Sequence, residues 1–366
     1  NLMFHYLYLN FIDSIPLLNL FQYITFRSIL AGIISFLFVV LLGKKFINFL
    51  INKNSGETIN KYLDENHKKK TGTPNMGGLL IGISILISTL LFSDLSNPKI
   101  QILICTYTLF AITGFIDDFI KLRKGTGLKI QLKFLIQILV TILISWLIIE
   151  QSDSFTYQKE TKNINNIILP FTKNIFNLGS IYFVLMIFII LGSSNSVNFT
   201  DGLDGLATGS LIISFSSITI FTYIAGNSVY SSYLYLPFIS NVGEIVVFIA
   251  ALIGSLLGFL WYNSNPAQIF MGDTGSIPMG ATLGLVAILI KQEFLLLIIG
   301  GVFVIEAISV IIQIFSFRMF NRRIFLIAPI HHHFEKLGIK ESKIVIRFWI
   351  VGIIFSLIAI ATLKIR

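Results

Sequence analysis

The chain carries several short polar segments whose residue types can do chemistry. Asp117 and Asp118 are adjacent at the end of an apolar run. Neighbouring carboxylates repel unless a cation or basic group compensates, so the pair reads as a metal or proton-transfer site, against the plainer reading of a solvated helix end. Residues 195–205 hold two Asn, two Asp and two Gly ahead of another apolar run. Asp201 and Asp204, three apart, can share a helix face, and together with Asn198 they exceed what capping a helix requires. Residues 262–266 and 270–276 bring Asn263, Phe270 and Asp273, the last between Gly272 and Gly275, where bare backbone can approach a ligand closely. Mg2+ binds one or two carboxylates plus phosphate oxygens, so aspartates converging from separate segments are what a Mg2+ site needs; an Asx-capped glycine turn is the alternative at Asp273. His331, His332 and His333 follow Pro329. Three consecutive imidazoles do not converge easily on one ion, and no thiolate set accompanies them, so histidines beside a phosphate are favoured over zinc. Lys70, Lys121 and Lys133 are cations next to these motifs, although lysines in such places also serve topology and anionic lipid heads. Glu306 lies inside an apolar run, where carboxylates are usually functional or paired. His5 and His67 stay unassigned, and the lone Cys105 excludes an intramolecular disulfide.

The elements that must position these groups are membrane helices. Hydrophobic residues make up 55% of the 366 positions and charged ones 12%, against roughly a quarter in a soluble domain. Apolar runs near the spanning length of about 20 residues recur along the whole chain. Ten are drawn: residues 26–42, 76–92, 100–119, 130–149, 178–194, 206–225, 244–262, 277–290, 294–317 and 344–363. The first is too long for a signal-peptide core and is read as a retained span. With loops alternating sides, 19 of the 27 Lys and Arg residues fall on one side, which the positive-inside rule makes cytoplasmic. Both termini and the hydrophilic loop 150–177 then lie outside, while the polar clusters share the cytoplasmic face. The net charge of +9 is spread among these loops, so it speaks for topology and not for nucleic acid. The expectation is an all-α integral membrane protein of about ten transmembrane helices. It forms a single polytopic domain over residues 1–366, with a cytoplasmic-face active-site cleft.

Taken together, residues 70–78, 117–118, 198–205, 270–276 and 329–335 resemble the motifs of the polyprenyl-phosphate N-acetylhexosamine-1-phosphate transferases, and within them the phospho-MurNAc-pentapeptide branch. The resemblance covers Lys70 to Glu335 in consistent order, with one departure at Asn75, where the family usually has Thr. It implies transfer of phospho-MurNAc-pentapeptide from UDP-MurNAc-pentapeptide to undecaprenyl phosphate, giving lipid I and UMP in peptidoglycan synthesis. It further implies Asp117, Asp118, Asp273 and His332 as the catalytic set, with Mg2+ on Asp273 and Asp118 beside it. Asp117 would either deprotonate the lipid phosphate or act as nucleophile. Lys70, Asn198, Asp201, Asp204, Asn263 and Phe270 would hold the uridine and sugar end, with Asn75, Lys133, His331 and His333 also binding substrate. A related UDP-GlcNAc transferase of surface-polymer synthesis is the nearest rival, disfavoured by residues 329–335. A transporter is the rival of another class, and it would place charges near the bilayer midplane in broken helices. Oligomeric state, a homodimer included, is left open by the sequence.

Overall fold

A computed structural model describes residues 16–53, 72–151, 164–169 and 175–365. Among these residues the chain folds into thirteen α-helices and one small hairpin. The helices are α1 (Ile24–Asn52), α2 (Gly78–Phe92), α3 (Pro98–Lys124), α4 (Ile130–Glu150), α5 (Ile181–Thr200), α6 (Leu206–Ala225), α7 (Ser228–Tyr233), α8 (Ile245–Asn263), α9 (Asp273–Leu289), α10 (Leu296–Ile299), α11 (Gly301–Phe320), α12 (Ile330–Lys336) and α13 (Glu341–Ile365). Strands β1 (Asn166–Ile168) and β2 (Ile175–Asn177) pair antiparallel between α4 and α5. The protein is a multi-pass integral membrane protein: eight of its helical segments are long and apolar enough to cross a bilayer.

Each of the ten predicted spans corresponds to a helix, and several helices run past the predicted ends, α3 to Lys124 and α5 to Thr200. Helix α1 continues ten residues past the predicted end at Leu42, because Lys44 and Lys45 cost a helix nothing once it has left the apolar stretch. The predicted span at 294–317 is interrupted at Gly300, which divides α10 from α11. The shorter helices α2 and α9, of 15 and 17 residues, reach only about 23 and 26 Å at 1.5 Å per residue, less than the roughly 30 Å of hydrocarbon.

Helix α9 tolerates its length because it is the core of the bundle. Every one of its residues is buried, and it packs chiefly on α3 and α5. Small residues make that contact close, as membrane helices require when lipid is as apolar as their own side chains. A Cβ on Gly114 of α3 would run into the Asp273 backbone, so only glycine lets α3 meet the start of α9 one turn before Asp117 and Asp118. Helix α3 itself begins at Pro98 with the Asn97 side chain accepting from the Lys99 N–H, and it stops at Gly125 in the left-handed conformation (φ 71°). Its length and register therefore place the aspartate pair beside Asp273.

The opposite end of α9 is tied down by a different polar cluster. Lys291 donates to the Ile164 carbonyl and to Tyr182 Oη at 2.9 Å, and Tyr182 donates to Glu293 at 2.6 Å. Burial pushes the Lys291 ammonium down to about 8 and raises the Glu293 carboxyl. Nearby helix ends are joined in the same manner, by Arg27 donating to Glu244 at 2.8 Å and Lys99 to the Ser240 carbonyl at 2.9 Å.

Candidate active site

Three carboxylates meet where α3 and α9 touch. Asp117, Asp118 and Asp273 are all buried, and one oxygen from each lies within 4.8 Å of the others. Asp118 Oδ2 accepts from the Thr274 N–H at 2.9 Å and the Thr274 hydroxyl at 2.7 Å, which locks α3 onto the first turn of α9. Asp117 Oδ1 accepts the Leu128 N–H at 2.7 Å, so the turn after α3 folds back over the pair. Asp273 Oδ1 accepts from Asn198 Nδ2 at 2.8 Å, and the same amide donates to Ser276 at 2.9 Å, bringing the end of α5 into the site.

Two lysines fill the space between the carboxylates. Lys121 reaches Asp117 at 2.8 Å, Asp273 at 2.9 Å and Asp118 at 3.7 Å. Lys133 of α4 pairs with Asp273 and lies 3.4 Å from Asp117. Three carboxylates against two ammonium groups leave an uncompensated negative charge if all are ionised, and Asp118 Oδ1 is a buried oxygen with no hydrogen-bond partner. An all-oxygen donor set with a spare charge and a spare lone pair fits a hard cation. The cluster can therefore hold a metal ion, and it is the only such group of His, Cys, Asp and Glu among the described residues.

Asn75 lies against this cluster: it is buried, its Oδ1 accepts the Met76 N–H at 2.7 Å, and a Cβ on Gly272 (φ 72°) would strike both Asn75 and Asp118. Phe270 is held by its backbone, accepting from Gly77 at 2.8 Å and donating to Pro74 at 2.9 Å. These bonds join the 72–78 segment to the approach to α9. Lys70 lies outside the described residues.

A second cluster forms around the histidines. His331, His332 and His333 sit on the short helix α12, with the His331 and His332 ring centroids 4.1 Å apart. His331 is fully buried with Nδ1 3.1 Å from Glu306 Oε2 of α11. His332 Nδ1 is 2.6 Å from Glu335, and His333 Nδ1 accepts from the Leu326 N–H at 3.2 Å. A Cβ on Gly202 would collide with His331 and meet His332 Nε2 at 3.3 Å, so the loop carrying Asp201 runs directly against both rings. Asn198 on one side of that loop holds Asp273, and Gly202 on the other touches the histidines; residues 198–202 thus link the clusters.

Two of the singled-out residues work inside the protein. Asp204 is buried, and its Oδ2 accepts from Asn265 at 3.1 Å and from the Ala267 N–H at 3.0 Å. Asn263, also buried, accepts from Thr208 at 2.7 Å and donates to the Ile269 carbonyl at 2.9 Å. Both brace the 263–269 loop that leads to Asp273. The sequence reading weighed Lys121 without placing it in the site; its spacing of four from Asp117 and three from Asp118 was the available signal. Thr274 and Ser276 were missed, since hydroxyls inside a glycine-rich motif carry no mark of their partners.

A family model described as Glycosyl transferase family 4 matches residues 100–291, which run from α3 to the end of α9. Similar curated proteins are named phospho-N-acetylmuramoyl-pentapeptide-transferase. Those of Leptospira biflexa and Rickettsia prowazekii are 44% and 45% identical over 100% of both chains. That of Desulfotalea psychrophila is 46% identical over 95% of this chain and 96% of its own.

Proposed function

This chain belongs to glycosyl transferase family 4, and within it to the phospho-N-acetylmuramoyl-pentapeptide-transferases, and on that premise we propose how its residues carry the reaction. The substrates are UDP-MurNAc-pentapeptide and undecaprenyl phosphate, and the products lipid I and UMP. A phosphate oxygen of the acceptor lipid attacks the phosphorus that bears the sugar, and the bond from that phosphorus to the UMP oxygen breaks. The observation that carries this reading is the buried carboxylate cluster with its two lysines.

Phosphoryl transfer needs alignment and charge compensation more than covalent help from the protein. Asp273 and Asp118 would hold Mg2+, which supplies charge compensation for the pyrophosphate and the departing UMP. Lys121 and Lys133 turn from the carboxylates toward phosphate oxygens when substrate arrives. Asp117 takes the proton of the lipid phosphate, or attacks in its place; either role requires the carboxylate oxygen that now faces Lys121. His332 and His333 hold the nucleotide phosphates, and Asn198, Asp201 and Phe270 face the uridine and sugar end. Asp204 and Asn263 serve by shaping the 263–269 loop. The site opens to the cytoplasm, where the nucleotide is made, and the acceptor enters from the bilayer.

Purified protein given undecaprenyl phosphate and each of two sugar nucleotides, UDP-MurNAc-pentapeptide and UDP-GlcNAc, tests the substrate assignment. Lipid-linked product should form only with the first, and product from UDP-GlcNAc alone would transfer the chain to the rival branch. For sidedness, cysteines at Ser342 and Asn177 should react with impermeant thiol reagents from the cytoplasmic and outer faces respectively. Reaction of both from one face contradicts the orientation.

A further inference from the structure

Behind the histidine helix lies a cavity of about 260 Å³ between α11, α12 and α13. Val302 and Ile305 form one wall, Ile330 and Phe334 the roof, and Ile344 and Phe348 the other wall. Its single charged lining residue, Arg347, is exposed and has no hydrogen-bond or ion-pair partner among the described residues. An apolar slot with one unpaired guanidinium is complementary to an amphiphile with an anionic phosphate. The chain fills the slot and gains the dispersion contacts that an empty one forfeits, while the fork of donors takes the phosphate. Basic pockets between membrane helices recognise lipid head groups on the same principle.

We propose that this cavity binds an anionic membrane phospholipid, one acyl chain between α11 and α13 and its phosphate on Arg347. The acceptor substrate is not the occupant. Its phosphate has to reach Asp117 on α3, whereas α13 packs chiefly on α6, α10, α11 and α12. The bound lipid instead braces the site from behind. Ile330 and Phe334 flank the three histidines on α12, and Ile344 packs in one apolar cluster with Leu203 and Leu206, beside Asp204. An occupied cavity holds α12 against the 201–204 loop, and an empty one lets that contact loosen. Binding itself does not depend on the proposed function; only its consequence for turnover does.

The test uses the full-length protein in lipid nanodiscs containing trace phosphatidylglycerol or phosphatidylcholine with a photoactivatable acyl chain, the crosslinked residues being mapped by mass spectrometry. Phosphatidylglycerol should label the α11, α12 and α13 lining. Arg347→Gln should reduce that labelling about fivefold, the factor one cation near a lipid head group provides. Val351→Trp, which fills the slot and keeps the arginine, should reduce it as well. Turnover in phosphatidylglycerol should exceed that in phosphatidylcholine for the wild type and not for either variant. Equal labelling by the two lipids, or labelling unchanged in both variants, overturns the proposal. Displacement of the label by undecaprenyl phosphate but not by excess phosphatidylglycerol also overturns it and returns the cavity to the acceptor lipid.

Discussion

Helix α9 has buried charges at both ends, and the two ends are built on different balances. Beside Leu289, one lysine faces one carboxylate, with Tyr182 and the Ile164 carbonyl closing the ring. Around Asp273, three carboxylates face two lysines and one oxygen of Asp118 has no hydrogen-bond partner. Glu293 also has an unpartnered oxygen, but its other oxygen accepts from Tyr182 and lies 3.7 Å from Lys291, so that carboxylate is matched one to one by a cation. The balanced end is a clamp that joins the turn before β1, the start of α5 and the loop that follows α9. The unbalanced end can hold a metal ion, whose positive charge would complete the balance.

The largest expected effect comes from removing charge at the unbalanced end. Asp273→Asn should abolish turnover, since it removes an anionic oxygen that a hard cation requires. Thermal stability should hold, because the amide still accepts from Asn198 and charge repulsion falls. Wild-type turnover in this variant would remove Asp273 from the site and leave the comparison without its premise.

The next effect divides the site itself. Asp117→Asn should cost about 10²–10⁴-fold in kcat while the sugar nucleotide still binds, as for a group that acts in the chemical step. His332→Ala should weaken calorimetric binding of UDP-MurNAc-pentapeptide as well as the rate, since a bond to a phosphate is made in ground and transition states alike. Lost binding in Asp117→Asn together with intact binding and rate in His332→Ala would reverse the two assignments.

At the balanced end the effect moves from rate to stability. Lys291→Met leaves Glu293 without its cation and should destabilise the fold by about 3–5 kcal/mol, seen as a lower Tm, with kcat of the folded enzyme unchanged. Adding Glu293→Gln should recover much of that loss. A kcat that falls in step with Tm would mean that the clamp is coupled to the chemistry.

The smallest effect is a pH slope. Lys291 titrates near 8 in the folded protein against 10.5 in the unfolded chain, so between these values the unfolded chain binds more protons and stability rises with pH. Lys291→Met should flatten this part of the Tm profile. An unchanged profile would show that the ammonium is solvated in the folded state.

Much of this was legible in the sequence, for reasons that also mark its limit. The helices follow from apolar runs of spanning length, and Asp117, Asp118 and Asp273 stand out because carboxylates are expensive where they occur. What the sequence withheld were pairings across the bundle. Glu306 was marked as an intramembrane carboxylate, but its partner His331 is 25 residues away and no local pattern joins them. Asp204 was marked in the sequence, but nothing local shows that its carboxylate accepts from Asn265 and Ala267 in the 263–269 loop. The break at Gly300 was hidden because the apolar run continues through it.

The central claim is that the unbalanced charge around Asp273 awaits a divalent cation. Its most direct test is a titration of the purified full-length protein with Mn2+, followed by the loss of the free-ion signal in electron paramagnetic resonance. The wild type should bind a single Mn2+ that Mg2+ displaces, and Asp273→Asn should lose this binding while Lys291→Met keeps it. Identical Mn2+ binding by wild type and Asp273→Asn would contradict the account.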